Sequence, residues 1–189
     1  MKFVEYPDRD LLMMGLADQL ASDLRMALQT GGRATFSVPG GTTPGPVFDI
    51  LSSLRLDWDR VTVLLHDERW VPETSDRSNA RLLRNRLLRG KAEAAQFLPF
   101  YAAADQPEDV LDKVSAVVEP HLPISVLLLG MGADMHTASL FPGADRLVEA
   151  LAPDAPALMA LRSDAAGEPR ITLTGRVLSA AMATHILIT

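Results

Sequence analysis

Ile124-Ser125-Val126-Leu127-Leu128-Leu129 runs into Gly130-Met131-Gly132-Ala133-Asp134-Met135-His136-Thr137-Ala138-Ser139-Leu140-Phe141-Pro142-Gly143, and the architecture follows from how this stretch is read. An apolar run ending in glycine predicts a strand covered on both faces, as in a parallel sheet. Gly130 and Gly132 let the chain turn sharply at the carboxyl end of that strand. Asp134 and His136 are then expected where a following helix begins. In an open α/β sheet this edge is where ligands bind. A histidine beside an aspartate there is suited to proton transfer near neutral pH. Asp134 reads equally well as a helix N-cap. The run is not a dinucleotide fingerprint, which wants a glycine where Met135 stands and lies beside the first strand.

Composition bounds what the rest of the chain can be. With 189 residues and 48% apolar content, one sizeable core is expected, and hence a single domain over residues 1–189. No uninterrupted apolar segment reaches the length of a membrane span, and Met1-Lys2-Phe3-Val4-Glu5 does not open a secretory signal. Cysteine is absent, which removes disulfides, thiolate catalysis and cysteine metal sites together. A soluble cytoplasmic protein fits these features. The net charge of -6 argues against a general nucleic-acid binder, which needs a basic field. A small anion held by a few local arginines remains compatible with it.

From the amino end, Leu12, Leu16, Leu20, Leu24 and Leu28 recur every four residues, so Asp8 to Leu28 predicts an amphipathic helix that Gly31-Gly32 stops. Ala34 to Val38 predicts a strand. Pro39-Gly40-Gly41-Thr42-Thr43-Pro44 breaks it and opens a helix through Leu54, with Thr42 or Thr43 as its cap. Two glycines and two threonines at a helix start have the composition of an anion cradle, though a plain tight turn has it too. The lysine of a Walker A loop is missing, so nucleoside triphosphate is not expected.

Val61 to Leu65 predicts a second strand ending in His66-Asp67-Glu68-Arg69-Trp70-Val71-Pro72. Ionisable residues at the end of a buried strand are costly unless paired or in use. Arg69 offers a planar fork for phosphate or carboxylate; Asp67 and Arg69 read equally as ties that hold the loop. Asp76 to Leu88 predicts a helix, Gly90 to Gln106 an irregular segment with a short strand near Phe97, and Val110 to Leu122 a further helix. Strands are expected at Ala157–Leu161, at Pro169–Thr174 and at His185–Thr189, with a helix from Gly175 to Met182. His185, flanked by apolar residues, is expected to be structural. Strand and helix alternate, which indicates a layered α/β/α domain with a mostly parallel sheet.

Three motifs taken together resemble the 6-phosphogluconolactonase family. They are Gly40-Gly41-Thr42-Thr43-Pro44; Asp67-Glu68-Arg69-Trp70-Val71-Pro72 with Ser78-Asn79; and Gly130-x-Gly132-x-Asp134-x-His136-Thr137-Ala138-Ser139-Leu140-Phe141-Pro142. Arg170-Ile171-Thr172-Leu173-Thr174 matches a fourth. The resemblance implies a three-layer α/β/α fold with a Rossmann-like sheet, as in the sugar-phosphate isomerases and deaminases. It also implies hydrolysis of 6-phospho-D-glucono-1,5-lactone in the pentose phosphate pathway without metal or other cofactor, although His66, Asp67, Glu68 and His136 could be imagined as a metal set. The related glucosamine-6-phosphate deaminases carry an Asn-Glu-Pro element after the histidine; here Ser139-Leu140-Phe141-Pro142 supplies no carboxylate.

For such a hydrolysis His136 is expected to act as general base and then general acid, with Asp134 orienting its loop or its imidazole. Arg69 is the candidate for stabilising developing charge or gripping phosphate. Gly40, Gly41 and Thr42 are expected to hold phosphate, with Asp67 and Arg170 as further substrate-binding candidates. Ser139 lacks the Gly-x-Ser-x-Gly elbow of a nucleophile and reads as packing or capping. Beyond the small sugar-phosphate lactone no nucleic-acid or membrane partner is expected, and the chain is expected to be a monomer or weak homodimer. Two departures bear on activity. Met135 replaces the family's glycine, where a positive φ would strain it and its side chain would crowd the site. The family's closing Gly-x-x-Lys segment is expected to be missing after Thr189. A relative that binds sugar phosphate without turnover is the alternative.

Overall fold

The computed structural model describes residues 2–189. Its first element is α1 (Arg9–Gly31), capped by Asp8, whose carboxylate accepts from the Leu11 N–H at 2.8 Å, and ended by Gly32 in the left-handed region at φ 73°. The four-residue leucine spacing buries Leu16, Leu20, Leu24 and Leu28 on one face. That face lies against β1 (Ala34–Val38), against β5 (Val126–Gly130) and against α2 (Gly45–Ser53). Burying one such leucine stabilises the fold by about 1.5–3 kcal/mol.

The central sheet has the order β4-β2-β1-β5-β8, with β2 (Val61–Leu65), β4 (Gln96–Leu98) and β8 (Ala183–Leu187) completing it. Every pairing in it is parallel. β1, β2 and most of β5 are buried on both faces, as their continuous apolar runs require. From β1 the chain moves through α2 to β2, and from β5 it ends at β8 on the other side. Right-handed crossovers taken in opposite directions place the intervening helices on opposite faces. Along the chain α3 (Asn79–Arg86) lies between β2 and β4, and α4 (Leu111–Val118) between β4 and β5.

A second sheet was not foreseen. β3 (Asp67–Arg69), β7 (Arg170–Leu173) and β6 (Leu158–Leu161) form a separate antiparallel sheet in the order β3-β7-β6. The segment Asp67–Arg69, expected as a loop, has its backbone groups taken by β7. Strand character was legible in residues 158–161 and 170–173, but a short strand's own sequence does not say which sheet it joins.

Other expectations need correction. No helix opens at Asp134: turns carry the chain through 131–146, and α5 (Leu147–Leu151) follows. No threonine hydroxyl caps α2, which begins at Gly45 after a turn closed by the Gly45 N–H on the Thr42 carbonyl at 3.1 Å. Gly90–Gln106 contains a 3-10 turn (Gly90–Ala94) as well as β4. The last strand starts two residues earlier than read, after α6 (Gly175–Ser179), because β8 pairs in register with all of β5. His185 holds β8 to α1 through Asp23 at 2.7 Å, a structural contact.

Candidate active site

The carboxyl ends of β1 and β5 lie side by side, yet the chain leaves them in opposite directions, so the loops that follow diverge and open a crevice. It encloses about 390 Å³. Gly40, Gly41 and Thr43 after β1 form one wall, and residues from Gly130 to Ala138 after β5 form another. The second sheet supplies the third wall, with Asp67, Arg69 and Arg170.

On the β5 wall, His136 Nδ1 sits 2.5 Å from Asp134 Oδ1. The contact is made within a tight turn in which the Gly132 N–H donates to the His136 carbonyl at 2.9 Å. Gly132 is required by this close approach: a Cβ there would lie 2.4 Å from the imidazole and 2.8 Å from the Asp134 carboxylate. The hydrogen bond from His136 holds the Asp134 carboxyl below its ordinary value. With Nδ1 engaged, Nε2 is the nitrogen free to exchange a proton. The ring also packs on Phe141, centroids 4.1 Å apart, and the Arg170 guanidinium lies 5.7 Å from the same phenyl ring.

Antiparallel register places Arg69 directly opposite Arg170. Like charges facing each other across two strands are unfavourable, and both side chains are held where they are by the protein. Arg69 Nη1 donates to the Arg77 carbonyl at 2.6 Å, and Arg170 Nη2 donates to the Ala166 carbonyl at 3.1 Å. Burial lowers the Arg170 pKa; Asp67 counters this, and the charge of Arg69 adds to it. Arg170 remains a cation. Among the described residues, neither buried Nε has a hydrogen-bond partner. Such a pair is a receptor for an anion.

Beneath the guanidinium groups Asp67 is almost completely enclosed. The Ser139 hydroxyl donates to its Oδ2 at 2.6 Å, Arg170 Nη1 lies 3.5 Å from the same oxygen, and His66 Nδ1 lies 3.0 Å from Oδ1. The imidazole is not aligned for a directed hydrogen bond, so it acts on the carboxylate through proximity. Burial alone would raise the Asp67 pKa; His66, Ser139 and Arg170 outweigh it and bring it down to about 2.

Glu68, with no exposed surface, organises the backbone around these groups. Its Oε1 accepts from the N–H groups of Arg69 and Asn79, both at 2.8 Å, and its Oε2 from the Ala80 N–H at 2.7 Å. The Asn79 and Ala80 N–H groups are orphan donors at the start of α3, which Ser78 also caps. Burial still leaves the Glu68 pKa raised against those bonds. Asn79 then donates from Nδ2 to the Asp67 carbonyl at 3.0 Å and presses Oδ1 onto Gly40, where a Cβ would come within 1.9 Å of it. One asparagine therefore spaces the β1 loop from β3.

Of the residues singled out by sequence, Gly40, Gly41, Asp67, Arg69, His136 and Arg170 converge on the cleft. Thr42 is exposed and outside its wall, where Thr43 stands instead. Asp134 reaches the cleft only through His136. Met135 has φ 64°, the strained conformation anticipated, but its side chain is 78% exposed and does not crowd the site. Ser139, Asn79 and Phe141 were not read as parts of the site. The only local hint was that all three fall inside the motifs. Among the described residues no three His, Asp or Glu side chains converge as a metal site.

Residues 7–189 match the family model described as glucosamine-6-phosphate isomerases/6-phosphogluconolactonase. The chain is 43% identical over 185 residues to a 6-phosphogluconolactonase of Mesorhizobium japonicum, covering 96% of this chain and 78% of that one. To the 6-phosphogluconolactonase of Rhizobium meliloti it is 44% identical over 165 residues, 86% of this chain and 71% of the relative. A crystal structure of a 6-phosphogluconolactonase from Shewanella baltica superposes with a TM-score of 0.88 at 35% identity, over 96% of this chain and 77% of that one.

Proposed function

The chain belongs to the glucosamine-6-phosphate isomerase/6-phosphogluconolactonase family, and from this premise we propose that it is the lactone hydrolase that converts 6-phospho-D-glucono-1,5-lactone to 6-phospho-D-gluconate in the oxidative pentose phosphate pathway. The observation that carries the mechanism is the meeting, in one cleft, of an aspartate-held imidazole and two opposed guanidinium groups.

A lactone is an activated ester, so water can attack it without a covalent enzyme intermediate. His136 Nε2 takes a proton from water as its oxygen bonds to the lactone carbonyl carbon. Asp134 fixes the imidazole and steadies the imidazolium that forms. Negative charge develops on the carbonyl oxygen. When the bond from that carbon to the ring oxygen breaks, His136 returns the proton to the departing oxygen, which becomes a hydroxyl. Arg69 and Arg170 match the phosphate with fixed cationic forks, and an anion between them relieves their mutual repulsion. The backbone amides of Gly40 and Gly41, near the start of α2, add neutral donors for the anionic substrate. Asp67, an acceptor, suits a ring hydroxyl.

The test is hydrolysis of freshly generated 6-phosphogluconolactone with the spontaneous rate subtracted. The wild-type chain should turn over, and His136→Asn should lower kcat by about 10²–10⁴-fold while largely keeping affinity for 6-phosphogluconate. Undiminished turnover in that variant would remove the histidine from the mechanism. Wild-type binding without turnover would leave a sugar-phosphate-binding protein. Ammonia release from glucosamine 6-phosphate should be undetectable. Action in the cytoplasm as a monomer or weak homodimer, without nucleic acid, completes the proposal, and sedimentation of the purified chain tests its oligomeric part.

A further inference from the structure

His66 has no part in the chemistry above, and an imidazole is not the residue a buried strand end calls for. β2 delivers five buried residues to the sheet, and the next residue is an imidazole that is only 3% exposed. An aliphatic side chain there would continue the core of the strand. Instead both ring nitrogens are enclosed without an aligned hydrogen-bond partner among the described residues, which costs stability. The backbone does not let the ring move away. The His66 N–H donates to the Val38 carbonyl at 3.1 Å, and its carbonyl accepts from the Leu173 N–H at 2.8 Å. His66 is therefore pinned where the two sheets meet, lining the cleft with Nδ1 3.0 Å from Asp67 Oδ1.

From this geometry we infer that His66 is a positioning residue for substrate recognition, holding the Asp67 carboxylate so that it accepts a hydrogen bond from a ring hydroxyl of the lactone. Ser139 and Arg170 already occupy the Oδ2 side of that carboxylate. His66 closes the Oδ1 side, so the carboxylate cannot rotate and its remaining lone pairs face the cleft. A carboxylate without donors of its own selects a substrate rich in hydroxyls, and its fixed orientation selects among stereoisomers.

The inference rests on the reading that Asp67 binds substrate, and three variants separate the two. His66→Val should raise KM about tenfold, the effect of losing the hydrogen bond from a lactone hydroxyl to the Asp67 carboxylate, with kcat little changed. Its thermal midpoint should stay near that of the wild type, because an apolar side chain in the core offsets the lost contact to the Asp67 carboxylate. His66→Asn, whose amide nitrogen reaches the place of Nδ1, should recover most of the lost affinity. Asp67→Asn should raise KM at least as much as His66→Val. If Asp67→Asn leaves KM at the wild-type value, Asp67 does not bind substrate and both ideas fall. If Asp67→Asn raises KM and His66→Val does not, the inference alone is overturned. It is also overturned if both His66 variants lose thermal midpoint and kcat together, since the ring would then be structural.

Discussion

Met135 shows what a single residue can carry. It sits at φ 64°, where a side chain meets its own backbone, a cost of about 1–2 kcal/mol for a residue other than glycine. It lies inside the turn that presents His136, where its N–H donates to the Gly132 carbonyl and the Gly132 N–H donates to the His136 carbonyl, both at 2.9 Å. Replacing Met135 with glycine should raise stability by up to about 1 kcal/mol, the relieved strain less the entropy glycine loses on folding. KM should stay the same, since the methionine side chain points to solvent. Urea denaturation and steady-state kinetics on the same preparation check both halves. The positive φ was legible as a conflict between methionine and the expected turn. That the side chain turns outward was not, because nothing local says which way it points.

At the scale of elements, α3 and the β1 loop are locked to β3 by two side chains. Glu68→Gln puts an amide NH2 where backbone N–H groups now find an acceptor. Stability should fall by about 1–3 kcal/mol, measured by chemical denaturation, with a rise in KM as Asn79 shifts. Gly40→Ala drives a methyl group into the Asn79 amide, which its bond to the Asp67 carbonyl holds in place. A loss of about 1–3 kcal/mol is expected, and adding Asn79→Ala should make the double variant less unstable than the two single losses summed. Strict additivity would show that the two residues do not meet. The helix α3 was readable from its leucines, though it was expected from Asp76 and begins only after Ser78 caps it. Glu68 as the second cap was not, since it precedes the helix by eleven residues and reaches it only because β3 folds back.

For the whole molecule, the Asp67 cluster joins the two sheets: Asp67 lies on β3, Arg170 on β7, and Ser139 on the loop after β5. Its carboxyl is held at about 2 against an ordinary 3.8, so the folded chain binds fewer protons there than the unfolded chain. That contribution to stability is fully present above about pH 4 and is lost as pH falls toward 2. Glu68 has the opposite sign. Its raised pKa means that stability falls as pH rises through the window just above 4.5. Asp67→Asn should flatten the acid limb of the stability curve between about pH 4 and 2, with denaturation midpoints at stepped pH as the readout. An unchanged limb would mean that acid unfolding starts elsewhere.

By itself the sequence determined the elements and the edge of the sheet at which the site would form. Leucine spacing, the Asp8 and Gly32 caps and the apolar runs of β1, β2 and β5 are local patterns, and the physics that reads them acts over a few residues. It also supplied His136 beside Asp134, because the pair lies within one turn. Only the tertiary structure decided that β3, β6 and β7 leave the central sheet, that Arg69 faces Arg170, and that Ser139 reaches Asp67 across 72 residues. Those contacts follow from strand register and from the burial of charge, which exist only once distant segments have packed together.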